Sequence, residues 1–429
     1  MRMKVYQVLL LLFLVNSGLI AQYFWEKIES PTTEFMRTLH FADSLTGWVA
    51  GDSGLIFFTS DGGKNWTQQT TNTKNKIMNL FFLDNNRGWA VSWDEQMTND
   101  FTGTYFLKTT NGGENWLLEQ YREDNVFLNN LFFLDTLKGF AGGYPGKFLV
   151  TTDGGITWEN AHIDSMPGAF FPPSNFKFFN NDYGFAVGGQ IDISGVVWKT
   201  TNGGANWKPS IVGAEPIYDI HFFDSLNILG VGGDFEYGAS VIQTSDAGET
   251  WDYRTIGIFG VATSLSFRTT TEAWVPLSIS QTLMYTLDAG KTWTDTSAVD
   301  SSSIYDLAFS DSLTGYAVGE EGVILKYKYQ FPDLVIEDNF IADDYYLYQN
   351  YPNPFNSSTT IEYRISEPAF VSLKIYDVLG NYISTPVKGY RQSGNYRINW
   401  DANNKPSGVY YVSLAVDGNV MTRKMILLK

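Results

Sequence analysis

The chain has 429 residues, 29 basic and 46 acidic side chains, a formal net charge of −17 and no cysteine. Without cysteine there is no disulfide framework, thiol nucleophile, iron–sulfur cluster, thiolate zinc site or cysteine-linked lipid anchor. The acidic excess argues against nucleic acid, whose phosphates require clustered Lys and Arg. His40, His162 and His221 are too far apart for a paired-ligand motif, so neither a metal nor a cofactor is expected.

At the N-terminus, Arg2 and Lys4 precede an apolar run over residues 8–15 and a small-residue stretch ending at Ala21. This is the pattern of a secretory signal peptide over residues 1–21. The run is shorter than the roughly 20 residues a spanning helix needs. The mature protein is therefore expected to be exported, with no transmembrane segment.

Residues 22–330 form a repeat array. One box, S/T-x-Asp/Asn-Gly/Ala-Gly-x-x-Trp, occurs six times, with key pairs Asp61 and Trp66, Asn111 and Trp116, Asp153 and Trp158, Asn202 and Trp207, Asp246 and Trp251, and Asp288 and Trp293. The mean spacing is about 45 residues, the period of a propeller blade. Upstream of each box lies an aromatic strand, a turn and a Gly-aromatic-Ala-Val-Gly strand, as in LFFLDNNRGWAVS from Leu80. This phrase has seven copies. The last, from Leu307, is followed by a strand over residues 323–327 but no box. The mature N-terminus, with Trp25 in the place of Trp66, resembles the strand that follows a box. The expected solution is circular closure: seven four-stranded blades, with the N-terminal strand completing the seventh. In the box, glycines permit the hairpin, the Asp or Asn oxygen accepts hydrogen bonds from the turn, and Trp covers it. Asn in two boxes keeps the acceptor without the charge, which favours a structural role.

These phrases resemble Asp-box (BNR-type) repeats, and the Gly-Trp-Ala-Val-Gly element is most similar to photosystem II stability/assembly factor-like propellers. Sialidases, sortilin-type receptors and xyloglucanase-like hydrolases share the box. The resemblance implies the fold and says little of function.

The box lies between the third and fourth strands of a blade, on one face of the disk. The hairpins joining strands two and three, and the blade-to-blade loops, share the other. The irregular segments, residues 92–104, 162–175, 190–195 and 234–238, are of this second kind. Aromatics beside acids there suit sugar stacking with hydroxyl hydrogen bonds, or a basic protein partner. The ligand-binding candidates are Trp93, Asp94, Glu95, Tyr144, Phe170, Phe171, Asp234, Phe235, Glu236 and Tyr237. A short polar residue precedes each first strand (Thr38, Asn79, Asn130, Asn175, Asp219, Ser264 and Asp306) and is expected to ring the channel mouth or cap strand ends. No catalytic residue is assigned. Only Arg37, Arg87, Arg122, Arg254 and Arg268 are available in the propeller for a sialidase-like arginine clamp. A glycoside hydrolase, needing two carboxylates roughly 5–10 Å apart, is the alternative reading.

Residues 331–346 read as an acidic linker. The signal segment holds +2 and the stretch from Tyr345 holds +4, so residues 22–344 carry −23 of the total. This change of sign marks a second domain, residues 347–429, whose period-two strands with turns every 8–12 residues predict a small β-sandwich. Its phrases YPNPFN, LKIYDVLGN, PSGVYYVSL and RKMILLK resemble the type IX secretion C-terminal sorting domain, and also the Ig-like domain of flagellar hook assembly proteins. The resemblance implies an address read by outer-membrane export machinery. The passenger is then delivered through the periplasm to the surface of a Gram-negative cell or beyond it. The combined expectation is an exported, all-β, monomeric binding or adhesion propeller with a sorting tail.

Overall fold

Short apolar strands separated by Gly-, Asp- and Asn-rich turns pair into antiparallel four-stranded sheets. The computed structural model describes residues 24–95, 101–328, 345–378, 380–416 and 419–429. The signal segment and nearly all of the 331–346 linker lie outside these residues. Two units are separable, Met1–Phe331 and Pro332–Lys429.

The first unit is a seven-bladed propeller. Blade 1 takes Met36–Phe41, Gly47–Gly51, Ile56–Thr59 and Thr67–Gln68, and the first strands of blades 2 to 6 begin at Lys76, Phe127, Pro173, Ile217 and Ser266. In blade 7, Ile304–Phe309, Gly315–Gly319 and Ile324–Lys328 are joined by Phe24–Lys27 from the other end of the chain, with Trp25 opposite Tyr327 and Glu26 opposite Lys326.

Aromatic rings join the blades. The ring after the glycine of one blade's second strand stacks on the ring closing the next blade's first strand: Tyr316 on Phe41 at 3.7 Å, Trp48 on Phe82 at 3.6 Å, and Trp89 on Phe133 at 3.7 Å. The glycine is required because the first-strand ring of its own blade lies over it. A Cβ at Gly88 would sit 2.6 Å from the Phe82 ring. The same indoles reach into the next blade's box, Trp48 Nε1 donating to Gly112 O at 3.1 Å and Trp89 Nε1 to Gly154 O at 3.0 Å.

Each box is a closed hydrogen-bond unit. In blade 3, Thr151 Oγ1 donates to Asp153 Oδ1 at 2.8 Å and accepts from Gly155 N at 2.9 Å. Asp153 Oδ1 also accepts from Thr157 N at 2.9 Å, and Oδ2 from Thr157 Oγ1 at 2.6 Å. Asn111 and Asn202 reproduce the backbone contact, to Asn115 N at 3.1 Å and Asn206 N at 3.0 Å. Asp61, Asp246 and Asp288 accept equivalently from residues 65, 250 and 292. The donor-rich turn, led by the Thr157 hydroxyl, holds Asp153 down to about 2, and the Asn65 amide does the same for Asp61. Trp66, Trp116, Trp158 and Trp207 stand edge-on to Phe41, Phe82, Phe133 and Phe178 of their own blades, at 81–86°. Trp251 stands edge-on to Phe185 of blade 4, and Trp293 packs with the Leu229 cluster.

Around the channel, six of the seven short polar residues sit inside the first strand rather than before it; only Ser264 precedes its strand. Each of the six follows a bulge that leaves one residue unpaired, which frees the next polar side chain from the ladder. Several then accept from the neighbouring blade: Asn79 from Leu131 N at 3.2 Å, Asp219 from Leu265 N at 2.9 Å, Ser264 from Leu307 N at 3.2 Å and Asp306 from Leu39 N at 3.1 Å. Burial pushes the Asp306 carboxyl up to about 6. His40 lies among Trp48, Phe81 and Phe82, and His221 stacks on Phe267. Burial lowers both to about 4, so neither is charged at neutral pH.

The second unit is a β-sandwich. One sheet holds Tyr345–Leu347, Ser358–Ile365 and Gly394–Asp401; the other runs in the order Tyr382–Arg391, Ala369–Asp377, Gly408–Val416, Asn419–Leu427. Alternate residues such as Ile361, Tyr363, Leu373, Ile375, Val412 and Leu414 fill the core between them. The Pro-Asn-Pro-Phe-Asn phrase clamps the last strand. Asn353 Oδ1 accepts from Ile426 N at 2.8 Å, Phe355 N donates to Ile426 O at 2.8 Å, and the Phe355 ring packs on Trp400. Among the described residues no helix is long and apolar enough to cross a membrane.

Candidate functional site

Each strand-two-to-three hairpin rests against the loop that leaves its own blade. Box turns such as 62, 112 and 154 instead hydrogen-bond to the first turns of their blades, at Leu45, Asn86 and Leu137. The two faces are therefore chemically distinct. On the hairpin face, blades 1 and 7 carry near-identical polar turns, Asp52–Gly54 and Glu320–Gly322, with Ser53 and Glu321 at positive φ. Blades 3, 4 and 5 instead expose large apolar groups there: Tyr144, Ile191 and Ile193, and Phe235 and Tyr237. The adjoining loops add Phe170, 83% exposed, and Phe259, 62% exposed, whose ring lies 6.1 Å from Phe235.

The ten candidate residues divide into two groups. Glu95, Tyr144, Phe170, Phe235, Glu236 and Tyr237 face solvent. Trp93, Asp94, Phe171 and Asp234 do not, and the expectation that they present a ligand surface is corrected. Trp93 Nε1 donates to Leu128 O at 2.6 Å and its ring stands edge-on to Phe127. Asp94 is buried. Phe171 packs into the core between blades 3 and 4. Asp234 Oδ1 accepts from Glu236 N at 3.0 Å and Tyr237 N at 2.7 Å, so it shapes the hairpin that displays Phe235 and Tyr237. For Trp93, Asp94 and Asp234 the physical reason is shared: an aromatic or acid at a strand end is claimed by the strand before it can serve the loop; Phe171 is instead drawn inward from its loop by the apolar core. Glu95 is paired with Lys76 at 2.6 Å.

Sequence reasoning missed Ile191, Ile193 and Phe259. The Gln-Ile-Asp-Ile-Ser alternation over residues 190–194 was the available signal, since a tight hairpin must turn some of its side chains outward. It also missed Glu215. The fold brings Asp192, Glu215 and Asp234 together, with ligand atoms all within 4.8 Å of one another. Burial, then the neighbouring carboxylates, raise Glu215 above the usual carboxylate range.

The five arginines do not converge. Arg37 pairs with Asp52, Arg87 with Asp84, and Arg268 with Glu272, while Arg122 lies beside Glu123 and Arg254 donates to Gly290 O and Lys291 O. They are spread over blades 1, 2, 5 and 6, with Arg87 and Arg122 at opposite ends of blade 2, and are occupied by local partners. Two shallow cavities, of about 700 and 620 Å³, lie between blades 1 and 2 at opposite ends of the blades. Neither is lined by a candidate residue.

Comparison with known proteins places the two units. Residues 18–117 and 258–328 match the family of photosynthesis system II assembly factor YCF48, and residues 349–428 match the secretion system C-terminal sorting domain. The photosystem II stability/assembly factor HCF136 of Oryza sativa subsp. japonica is 24% identical over 303 residues, 66% of this chain. The photosystem II assembly protein Ycf48 of Thermosynechococcus vestitus is 24% identical over 168 residues, 38% of this chain. The chain spans 64% and 45% of the length of these two relatives. Among solved structures, YCF48 bound to D1 peptide has a TM-score of 0.55 at 21% identity, covering 71% of this chain and 96% of that one. PorZ, a surface component of the type-IX secretion system of Porphyromonas gingivalis, has a TM-score of 0.52 at 15% identity, covering 93% and 60%. A GH74 xyloglucanase from Xanthomonas campestris has a TM-score of 0.57 at 11% identity, covering 79% and 59%. The structural likenesses establish the fold. The propeller is similar to the photosystem II assembly factors, and the C-terminal unit is similar to the secretion system C-terminal sorting domain.

Proposed function

We propose that this chain is an exported, non-catalytic binding propeller, delivered to the cell surface or medium by its sorting domain. It captures its ligand on the hairpin face of blades 3 to 5. The observation that carries this reading is the exposed apolar set Tyr144, Ile191, Ile193, Phe235 and Tyr237, at a hairpin position that blades 1 and 7 close with polar turns, with Phe170 and Phe259 on the adjoining loops. Exposed apolar groups gathered in one place on a folded domain mark a binding surface. The aliphatic members and the acid Glu236 favour a protein segment carrying apolar and basic side chains. The similar propeller YCF48, solved with a D1 peptide bound, supports a peptide ligand. A glycan stacked on Tyr144, Phe170 and Tyr237 is the second member of the same reading.

The full mature chain is to be screened against peptide, surface-protein and polysaccharide arrays. Saturable binding that weakens about tenfold in Tyr237→Ala or Phe170→Ala is expected; binding unchanged in both overturns the assigned face. The competing reading, a glycoside hydrolase, draws on the fold likeness to the GH74 enzyme. The scattered, locally paired arginines speak against its sialidase-like form. Release of reducing ends from a labelled polysaccharide by the same preparation would establish the hydrolase instead. The export reading has its own test: deleting residues 347–429 should leave the propeller in the periplasm, and normal surface delivery of that truncation refutes it.

A further inference from the structure

The three clustered carboxylates stand at the boundary of blades 4 and 5. Asp192 comes from the hairpin between Gly184–Gln190 and Ser194–Thr200, Glu215 from the connection between the blades, and Asp234 from the end of Ile228–Asp234. Glu215 and Asp234 are each 3% exposed. Among the described residues, no ion pair joins any of the three to Lys or Arg. Glu215 Oε2 accepts only a long contact from Asp192 N at 3.3 Å. Two buried carboxylates and a third within 4.8 Å repel one another, and removing such charges from water without a counter-charge is costly.

A second observation lies on the same face of blade 5. Ser240 is fully buried and its hydroxyl has no hydrogen-bond partner. Ser240 is opposite Gly232 while Asp234 is opposite Gly238, so the two are diagonal neighbours on one side of the sheet. That side faces blade 4. Ile242 on it packs in one cluster with Val197, and a Cβ at Gly213 would meet the Tyr253 ring at 2.1 Å. The Tyr253 hydroxyl, on the same side opposite Ile242, is buried and turned toward Ser240. Two buried hydroxyls that face one another thus adjoin three carboxylates without a cation. Burial first, then the charges of Glu215 and Asp234, push Tyr218 up to about 12.

We propose that Asp192, Glu215 and Asp234 bind a calcium-class divalent cation, with Ser240 Oγ directed at the same site. All the donors are oxygens, which suits a hard cation, and no His or Cys nitrogen or sulfur is present to favour zinc. An irregular set of three carboxylates on separate segments suits calcium, which accepts six to eight ligands in flexible geometry, better than magnesium, which demands a near-ideal octahedron. A bound cation ties the hairpin bearing Ile191 and Ile193 to the hairpin bearing Phe235 and Tyr237. The site is built and tested without the peptide or glycan ligand and stands apart from that reading.

The test is calorimetric titration of the full mature chain, first stripped with chelator, with calcium at physiological salt, alongside thermal melts. One saturable site per chain and a higher melting midpoint with calcium are expected. Asp192→Asn, at an exposed position that leaves the core intact, and Glu215→Gln should each weaken calcium at least tenfold and erase the shift. Glu215→Gln should also raise the metal-free midpoint, because it removes repulsion. Glu320→Gln, on the blade 7 hairpin, should change nothing. The proposal is overturned by the absence of a one-to-one event, or by salt-sensitive uptake that persists in both variants, which would mark diffuse attraction to an acidic surface. Magnesium binding as tight as calcium overturns the calcium assignment.

Discussion

At the box end of the blades one contact scheme recurs from blade to blade, whereas at the hairpin end neighbouring blades differ. Box after box has the same Thr-to-Asp or Thr-to-Asn bond and the same carbonyl partner in the preceding turn. Substituting Asn for Asp at two boxes leaves the turn intact, because the contact needs an acceptor oxygen rather than a charge. The hairpins range from the polar twin turns of blades 7 and 1 to the apolar displays of blades 3 to 5. Ring closure demands that every blade present the same face to the next, so the residues that make that face repeat. Nothing in ring closure constrains the hairpin tips. Apolar groups there are not explained by stability, and this separates the scaffold from the site.

The largest effect should come from the repeated interface. Trp207 is wholly buried against Phe140, Phe148 and Phe178, and Trp207→Ala should cost about 3–5 kcal/mol by urea denaturation. A loss below about 1 kcal/mol would break the claim that boxes hold the ring. Next, Thr151→Ala removes a buried hydroxyl that serves Asp153 and Gly155, and should cost about 1–2 kcal/mol; equal stability to the parent would show the box bonds to be dispensable.

The channel ring supplies a smaller, pH-dependent effect. The folded pKa of Asp306 is raised to about 6 from 3.8. Its burial penalty therefore develops as pH rises from about 4 and is complete above about 6. Asp306→Asn, which keeps an acceptor for Leu39 N, should raise the melting midpoint at pH 8 and leave it unchanged near pH 4. His40 and His221 act in the opposite sense. Their pKa values are lowered to about 4, so the stability they contribute is lost as pH falls from about 6.5 to about 4. An Asp306→Asn midpoint insensitive to pH would contradict the account of a half-buried carboxylate whose desolvation raises its pKa. The smallest effect on stability should come from the hairpin face: Phe170→Ala and Tyr237→Ala should stay within about 0.5 kcal/mol of the parent while weakening ligand capture. A large destabilisation in either would turn the site back into scaffold.

The fold was legible because it is periodic. The Asp61-to-Trp66 box, the Gly-Trp-Ala-Val-Gly strand and Trp25 at the N-terminal end carry the propeller and its circular closure, and YPNPFN with RKMILLK carries the sorting domain. Each is a local pattern read in one stretch of chain. The site was legible only where a loop side chain has no competing use, as at Tyr144, Phe170, Phe235 and Tyr237. Trp93, Asp94, Phe171 and Asp234 look the same in sequence but are taken up by strand ends and hairpin capping.

Blade count, export address and the acidic character of the propeller region were therefore determined by sequence alone, since they depend on local spacing and composition. Tertiary structure decided which glycine answers which ring, that the polar ring follows a bulge and links blade to blade, and that Asp192, Glu215 and Asp234 meet. Those three lie in different strands and loops up to 42 positions apart. Only the packing of blade 4 on blade 5 brings their ligand atoms within 4.8 Å of one another.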